Sequence, residues 1–405
     1  MSGGRHKIFR TASDEEIKSG RTTDIYFVRT KQVLEKLGLD MTRVVMDISF
    51  DKYPYNWGWG VISGTYEAIR LLEGLPVDFY VVEEGTVLPP RDYRGYRMVV
   101  GYVEGPYGPF SVYETPLLGL LCQSTGISTY AAHIRVKAWG KVLLSFGARR
   151  MHPAITPMID WAAYIAGFDG ISSVLSAEML GIKPTGTMPH ALILIVGDQR
   201  KAWTAFDKFV EEDVPRIALV DTLYDEKVES IMAAETLGER LYGVRLDTPG
   251  SRRGSFADIV REVRAELDLR GYRNVKIFVS GGIKYENIDE LLEAGVDGFG
   301  VGTGLSNAPT VDFAMDIVEI EGKPFAKRGK IAGRKHLFRC PSCYTYKLSF
   351  SPDDRSCPKC GGEMEPLLRK VIENGRVVVE LKKPSEVREY VLSQLRKIRE
   401  LGWEA

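Results

Sequence analysis

None of the apolar runs in this 405-residue chain approaches the roughly 18 residues that a membrane-spanning helix requires, so no integral membrane segment is expected. Charge of one sign is also missing. Lys+Arg and Asp+Glu both count 54, the formal net charge is zero, and no bulk field points to nucleic acid or an anionic membrane as the main partner. The N-terminal stretch MSGGRHKIFRTASDEEIKSG mixes charges and lacks the apolar core of a secretory signal. With only five cysteines, that predicts a protein of the reducing, cytoplasmic compartment, where disulfides are rare. What is present is ordinary for a globular protein: 44% hydrophobic and 27% charged residues, in a length that suits two or three domains at about 150 residues each.

Four of the five cysteines form a pattern. Cys340 and Cys343 flank Pro341-Ser342, Cys357 and Cys360 flank Pro358-Lys359, and thirteen residues lie between the pairs. Each pair can make a tight knuckle whose sulfurs converge on one ion, and Gly361-Gly362 lets the second knuckle turn. Four thiolates suit a closed tetrahedral Zn²⁺ site with no open position for substrate water, which favours a structural role. Free cysteines, or iron in place of zinc, are the alternatives. A ribbon of this kind can also bind RNA or DNA, but Phe338, Tyr344, Tyr346 and Phe350 fit a small core around the metal at least as well as a stacking platform.

The chain divides coarsely into three. Residues 1–125 read as an N-terminal α+β domain, with strand-like runs at 44–50, 77–85 and 97–105 broken by turn clusters. Residues 126–325 change to short apolar runs alternating with helical periods: VLLSF, DGISSVL, GTM, RIALV, YGVRL, VKIFV and GFGVG. Alternating β and α means parallel strands with right-handed crossovers, and about seven units suit a barrel better than an open doubly wound sheet. Residues 326–405 hold the zinc ribbon, at about 336–366, and a charged helix with an apolar stripe at Val387, Val391, Leu395 and Ile398. The expected fold is therefore α/β: a parallel α/β barrel, whose closure the periodicity does not fix, with an N-terminal α+β domain and a small C-terminal four-cysteine ribbon.

In such barrels the chemistry gathers beyond the C-terminal strand ends. The residues read there are Phe146 to Arg150, Asp169-Gly170, His190, Asp221-Thr222, Arg245 to Thr248, Ser280-Gly281-Gly282, and Gly300 to Thr303. Glycine-rich turns feeding helix N-termini present bare N–H groups to phosphate, and the loops after the last two strands are the usual cradle. Asp221 and Asp247, at neighbouring strand ends, suit Mg²⁺ held through water or the capping of the helices that follow. Arg149, Arg150 and Arg245 point to an acidic or phosphorylated ligand, since an unpaired cation in a pocket is costly. His190 alone reads either as a structural histidine or as a catalyst.

Taken in order, these residues resemble nicotinate phosphoribosyltransferases. Thr23-Asp24-Ile25-Tyr26 is similar to that family's TDxY element, and Glu84-Gly-Thr86, Val103 to Pro106 and Glu114 to Leu118 follow in the family's order. FGARR (146–150), GFDG (167–170), GTMPH (186–190), VDT (220–222), GVRLDT (243–248) and the two glycine turns come next. The resemblance implies a type II phosphoribosyltransferase of NAD salvage, coupled to ATP hydrolysis and built on an irregular, partly open parallel α/β barrel, and a homodimer in which the TDxY segment of one subunit completes the site of the other. The cysteine segment lies beyond the common core and resembles archaeal forms.

Carried over residue by residue, the resemblance implies that Phe146 and Tyr26, the latter from the partner subunit, sandwich the pyridine ring. Arg149 faces its carboxylate or the sugar-linked phosphates, and Asp169 lines the pocket near the ring substituent. Asp221, Arg245 and Asp247 hold Mg²⁺-pyrophosphate and the ribose hydroxyls; Ser280, Gly281, Gly282, Gly302 and Thr303 form the cradle for the 5-phosphate of phosphoribosyl pyrophosphate. His190 matches the histidine that the family phosphorylates with ATP, although Ala191 follows it where other members often carry Ser or Glu. Quinolinate and nicotinamide phosphoribosyltransferases stay open as alternatives, the second because Asp169 can accept from an amide. A zinc-ribbon RNA-modifying or RNA-binding barrel is the remote one.

Overall fold

The computed structural model describes residues 7–251 and 254–403, so the first six residues of the N-terminal stretch read above lie outside the described ones. The described residues form two compact units, 7–129 with 309–403 in one and those between 130 and 308 in the other. Among the described residues, no helix is long and apolar enough to cross a membrane.

The first unit is built on a seven-stranded antiparallel sheet, in the order Lys323–Pro324, Phe313–Ile320, Arg43–Phe50, Val99–Pro106, Asp78–Val81, Arg369–Glu373, Arg376–Val377. Arg43–Phe50 is central and buried from Val44 onward, which is why it reads as an almost unbroken apolar run. Its single acid, Asp47, is paired with Lys335 at 2.5 Å, as burial of a charge requires. The C-terminal stretch adds two strands to this same sheet, and the helix Pro384–Glu400 buries the stripe Val387, Val391, Leu395 and Ile398.

The cysteine ribbon is a three-stranded sheet, Tyr346–Ser349, His336–Arg339, Glu365–Pro366. Its aromatics serve packing. Phe338, Tyr344 and Tyr346 are buried, Trp403 lies against both tyrosines, and the Tyr346 hydroxyl donates to the Val87 carbonyl at 2.7 Å. Phe350 alone of the four is exposed, so these rings offer no stacking platform for bases.

The second unit carries six parallel strands: β1 (Val142–Ser145), β2 (Gly170–Ile171), β3 (Arg216–Leu219), β4 (Leu241–Leu246), β5 (Lys276–Ser280) and β6 (Gly298–Val301). Their order is β2-β1-β6-β5-β4-β3, with helices in the connections. The parallel strands are those the alternation predicts, six rather than about seven, and the curled, partly open half-barrel they form is what the family resemblance implies. Its edges, β2 and β3, are consecutive in the chain yet stand at opposite ends of the ladder, which leaves the barrel unclosed among the described residues.

Two expected strands differ. GTM (186–188) is not a strand, because Pro184 and Pro189 cannot donate to a ladder and a helix begins at His190. The segment instead runs irregularly beside β2, where the Thr185 amide donates to the Ile171 carbonyl at 2.8 Å. DGISSVL shortens to the two residues of β2, since Ser173 caps a helix that starts at Val174.

Candidate active site

The C-terminal ends of β1, β4, β5 and β6 open onto a cleft of about 500 Å³ that lies wholly within the second unit. Its walls carry Phe146, Arg149, Arg150, His190, Arg245 and Asp247, with Ser280 to Gly282 and Gly302-Thr303 behind them. Phe146 continues β1, and its ring packs close to Gly300, where a Cβ would come within 2.3 Å of it. Glycine at 300 is thus what lets a large ring sit over the neighbouring strand. Gly281 and Gly282 both have φ in the left-handed region, at 81° and 75°, which turns the chain sharply after β5 at the cleft wall.

Arg245 organises the charge. It projects from β4, donates through Nη1 to the Ser280 hydroxyl at 2.9 Å and through Nη2 to the Met188 carbonyl at 2.9 Å, and lies 3.3 Å from Asp247 Oδ2. The bond to Met188 anchors the irregular segment that leads to His190. Burial pulls the guanidinium below its ordinary value, with Asp247 and Asp221 opposing. Asp247 in turn accepts from the Ser280 hydroxyl at 2.8 Å.

Asp221 stands behind Asp247 with only 2% of its side chain exposed. Its Oδ2 accepts from the Asp247 amide at 2.8 Å and the Thr248 hydroxyl at 3.1 Å, while Oδ1 has no hydrogen-bond partner among the described residues. Burial pushes its carboxyl above the usual range, and the His190 ring works against that shift. His190 opens a helix with Pro189 as its cap. Its Nδ1 is 3.0 Å from the Thr222 hydroxyl, and Nε2 is 3.8 Å from both Asp221 Oδ1 and Asp247 Oδ2. A buried carboxylate oxygen, a second carboxylate and an imidazole thus converge on one spot, with donor-rich glycine turns beside it. Such a place suits a divalent cation and a phosphorylated ligand.

Two expected site residues lie elsewhere. Asp169 precedes β2 and faces the start of β1: its Oδ2 accepts from Arg135 Nη2 and from the Leu143 amide, both at 2.9 Å. It sits at the opposite strand ends from the cleft and is not among the residues that line it, so the expectation that it meets the ring substituent is corrected. With it goes the argument from Asp169 for an amide substrate. Tyr26 is on the exposed side of the helix Ile25–Leu37 in the first unit, 56% exposed. Asp24, which caps that helix by position, accepts from the Thr115 hydroxyl at 2.9 Å.

Sequence reasoning missed Lys284, which lines the cleft just after the SGG turn, and Thr187. It also missed Glu229, fully buried in the first turn of the helix Glu226–Leu237. Lys284 stands next to a motif already singled out; Glu229 had no local signal.

The four cysteines in the first unit form a separate cluster, with all ligand atoms within 4.8 Å of one another. Sulfur separations of 3.5, 3.6 and 3.7 Å match the edge of about 3.8 Å in a tetrahedron with Zn–S bonds of about 2.3 Å. The two knuckles are built alike. In each, the residue after the second cysteine, Tyr344 or Gly361, has positive φ and donates its amide to the first cysteine's carbonyl at 2.9 Å.

Residues 24–125 match the family model for the N-terminal domain of quinolinate phosphoribosyl transferase, and residues 127–316 match the model for its C-terminal domain. A nicotinate phosphoribosyltransferase of Mycobacterium tuberculosis is 28% identical over 362 residues, 80% of this chain and 79% of that protein. The crystal structure of nicotinate-nucleotide pyrophosphorylase from Pyrococcus furiosus is 53% identical and superposes with a TM-score of 0.93, covering 98% of this chain and 100% of that one. Human nicotinic acid phosphoribosyltransferase, 20% identical, shares the fold at a TM-score of 0.72 over 93% of this chain and 94% of its own. With both domain models matched in order, and a relative more than half identical along nearly the whole length, this chain belongs to the type II phosphoribosyltransferase family, among the nicotinate phosphoribosyltransferases.

Proposed function

We propose that the cleft joins nicotinate to the ribose of phosphoribosyl pyrophosphate, giving nicotinate mononucleotide and pyrophosphate for NAD salvage. The observation that carries this reading is the convergence of His190, Asp221 and Asp247 beside Arg245 and two glycine turns. Phe146 orients the pyridine ring, and Arg149 takes its carboxylate or a sugar-linked phosphate. The amides of Gly281, Gly282 and Gly302, with Ser280 and Thr303, hold the 5-phosphate. Asp221 Oδ1 and Asp247 would hold Mg²⁺, which supplies charge neutralisation for the departing pyrophosphate. The leaving group departs from C1 as the ring nitrogen attacks from the opposite face, so little proton transfer is needed. The residues act mainly by alignment and by matching charge.

ATP enters by coupling. A phosphoryl group on His190 adds about −2 charge beside the glycine turns and tightens the donor site, and its hydrolysis resets the cycle. The exposed Tyr26 serves the partner's cleft in a homodimer, and the four cysteines hold structural Zn²⁺ in a cytoplasmic enzyme.

Turnover of nicotinate, nicotinamide and quinolinate, each with phosphoribosyl pyrophosphate and with or without ATP, tests the whole reading. Nicotinate is the expected substrate, stimulated by ATP; turnover of quinolinate alone, indifferent to ATP, would replace this assignment with the quinolinate one. His190→Ala should abolish ATP hydrolysis and its stimulation, yet leave measurable transfer at saturating phosphoribosyl pyrophosphate. Wild type incubated with γ-labelled ATP should take up an acid-labile, base-stable label that the variant lacks. If wild type takes up none, the coupling role of His190 is wrong.

Arg149→Ala isolates the anion contact. Hydrogen bonds to charged groups contribute about 1.5 to 3 kcal/mol, which corresponds to a loss of roughly tenfold to 150-fold in kcat/KM. The melting temperature should barely move, because Arg149 is exposed at the cleft wall. Unchanged kinetics for both substrates would remove Arg149 from the site.

A further inference from the structure

We propose that Glu229 is a positioning residue for this site: through the turn it holds, it sets which nitrogen of His190 faces the two carboxylates. The inference rests on the transferase reading for its kinetic consequence, but not for its structural one. Glu229 is fully buried one helical turn beyond the cleft loop. Its Oε2 accepts from the Thr222 amide at 3.1 Å, and its Oε1 accepts from the amides of Leu223 and Tyr224 at 2.7 and 2.9 Å. Three successive amides thus point at one carboxylate, which fixes the backbone between Asp221 and Tyr224 as a rigid turn.

Two groups leave that turn toward the cleft, and they depend on it unequally. Asp221 has a second anchorage, since its Oδ2 is held by the Asp247 amide and the Thr248 hydroxyl. Asp247 directly follows β4, so that strand restrains Asp221 from the other side. The Thr222 amide, by contrast, is fixed by Glu229. The Thr222 hydroxyl engages His190 Nδ1 at 3.0 Å, which leaves Nε2 toward Asp221 and Asp247 at 3.8 Å from each. A hydroxyl can donate or accept, so this contact holds the ring's orientation; with two carboxylates before Nε2, that orientation in turn favours the tautomer that carries its proton there. Glu229, Thr222 and His190 therefore form a chain of contacts whose first member touches no ligand and whose last faces the carboxylates.

An amide in place of the carboxylate breaks this chain at a predictable point. In Glu229→Gln the side chain keeps one accepting oxygen, but its NH₂ opposes a backbone N–H on the other side, so one end of the turn is released. The experiment is ¹⁵N NMR of the full-length protein labelled at histidine, with the His190 ring signals assigned by His190→Asn. Wild type should show a single tautomer, with one protonated and one bare ring nitrogen. Glu229→Gln should shift His190 toward a tautomer mixture, speed amide exchange at residues 222–224, and lower ATP-stimulated kcat/KM for phosphoribosyl pyrophosphate on the order of 10- to 100-fold, with KM for nicotinate little changed.

Thr222→Val reads the same link without touching the buried carboxylate, so it serves even if Glu229→Gln fails to fold. It should reproduce the ring shift, and in the Glu229→Gln background it should add nothing further. Ring signals unchanged in Thr222→Val, or unchanged in Glu229→Gln despite fast exchange at 222–224, overturn the proposal. A wild type without transferase activity would overturn the enzymatic reading instead, and the ring-nitrogen result would still decide the positioning role.

Discussion

Cys340→Ser is expected to lower the melting temperature sharply and to release metal, while changing the affinity for nicotinate far less. Purified wild type should carry about one zinc per chain. Structural zinc in small knuckles contributes on the order of 10 to 16 kcal/mol of apparent binding free energy at neutral pH, more than the ribbon's own core supplies. That core is small: Phe338 and Met364 pack with the buried Cys340 and Cys357. The damage should also spread within the first unit, because the ribbon is fastened to it by Tyr346 on Val87 and by Arg339 on Gln394 at 2.6 Å. The cleft lies in the other unit, which is why binding should suffer less than stability. Elemental analysis that finds neither zinc nor another thiolate-bound metal would refute the assignment. So would a Cys340→Ser protein that melts like wild type.

Arg245→Ala should give the largest loss at the cleft itself. The guanidinium is shared by Ser280, the Met188 carbonyl and Asp247, so alanine leaves a carboxylate without its cation and a carbonyl without its donor. Breaking a buried pair from one side costs about 3 to 5 kcal/mol. If that falls on transition-state binding, kcat/KM drops roughly 150- to 5,000-fold. Arg245→Lys should recover little, since a point-like ammonium cannot span Ser280 and Met188 together. Steady-state kinetics beside a thermal melt separates the two destinations of the energy. A variant with wild-type kcat/KM would show that Arg245 only braces the fold.

The legible features were those whose physics is local. Ligand spacing alone places four sulfurs on one ion's tetrahedron, because two residues between cysteines make a knuckle wherever it sits. The 3.6-residue stripe of the terminal helix gave the four apolar residues of its buried face and missed only the polar Gln394, which bonds to Arg339. The glycines after β5 announced a tight turn, since few other residues tolerate the positive φ that Gly281 and Gly282 adopt. The order of short apolar runs foretold parallel strands joined by helices, because an alternation of strand and helix has few other ways to bury both; that the barrel stays open it did not say.

Tertiary structure decided the rest, wherever direction or distance mattered. Asp169 was read beyond a strand end, but with β2 only two residues long nothing in the run marks its start from its finish, and the carboxylate faces Arg135 instead. GTM carried the composition of a strand, yet flanking prolines deny it a ladder, and its carbonyl serves Arg245. The final strands return to the sheet begun at Arg43, a pairing between distant parts of the chain that no window detects. Asp47 is the clearest instance: its partner Lys335 lies 288 positions along the chain. Glu229 is intermediate, since on its helix it is one acid among several and the three amides that meet it come from the turn just before. Backbone conformation follows from neighbours in sequence, whereas the partners of a buried charge are chosen by how the segments fold onto one another.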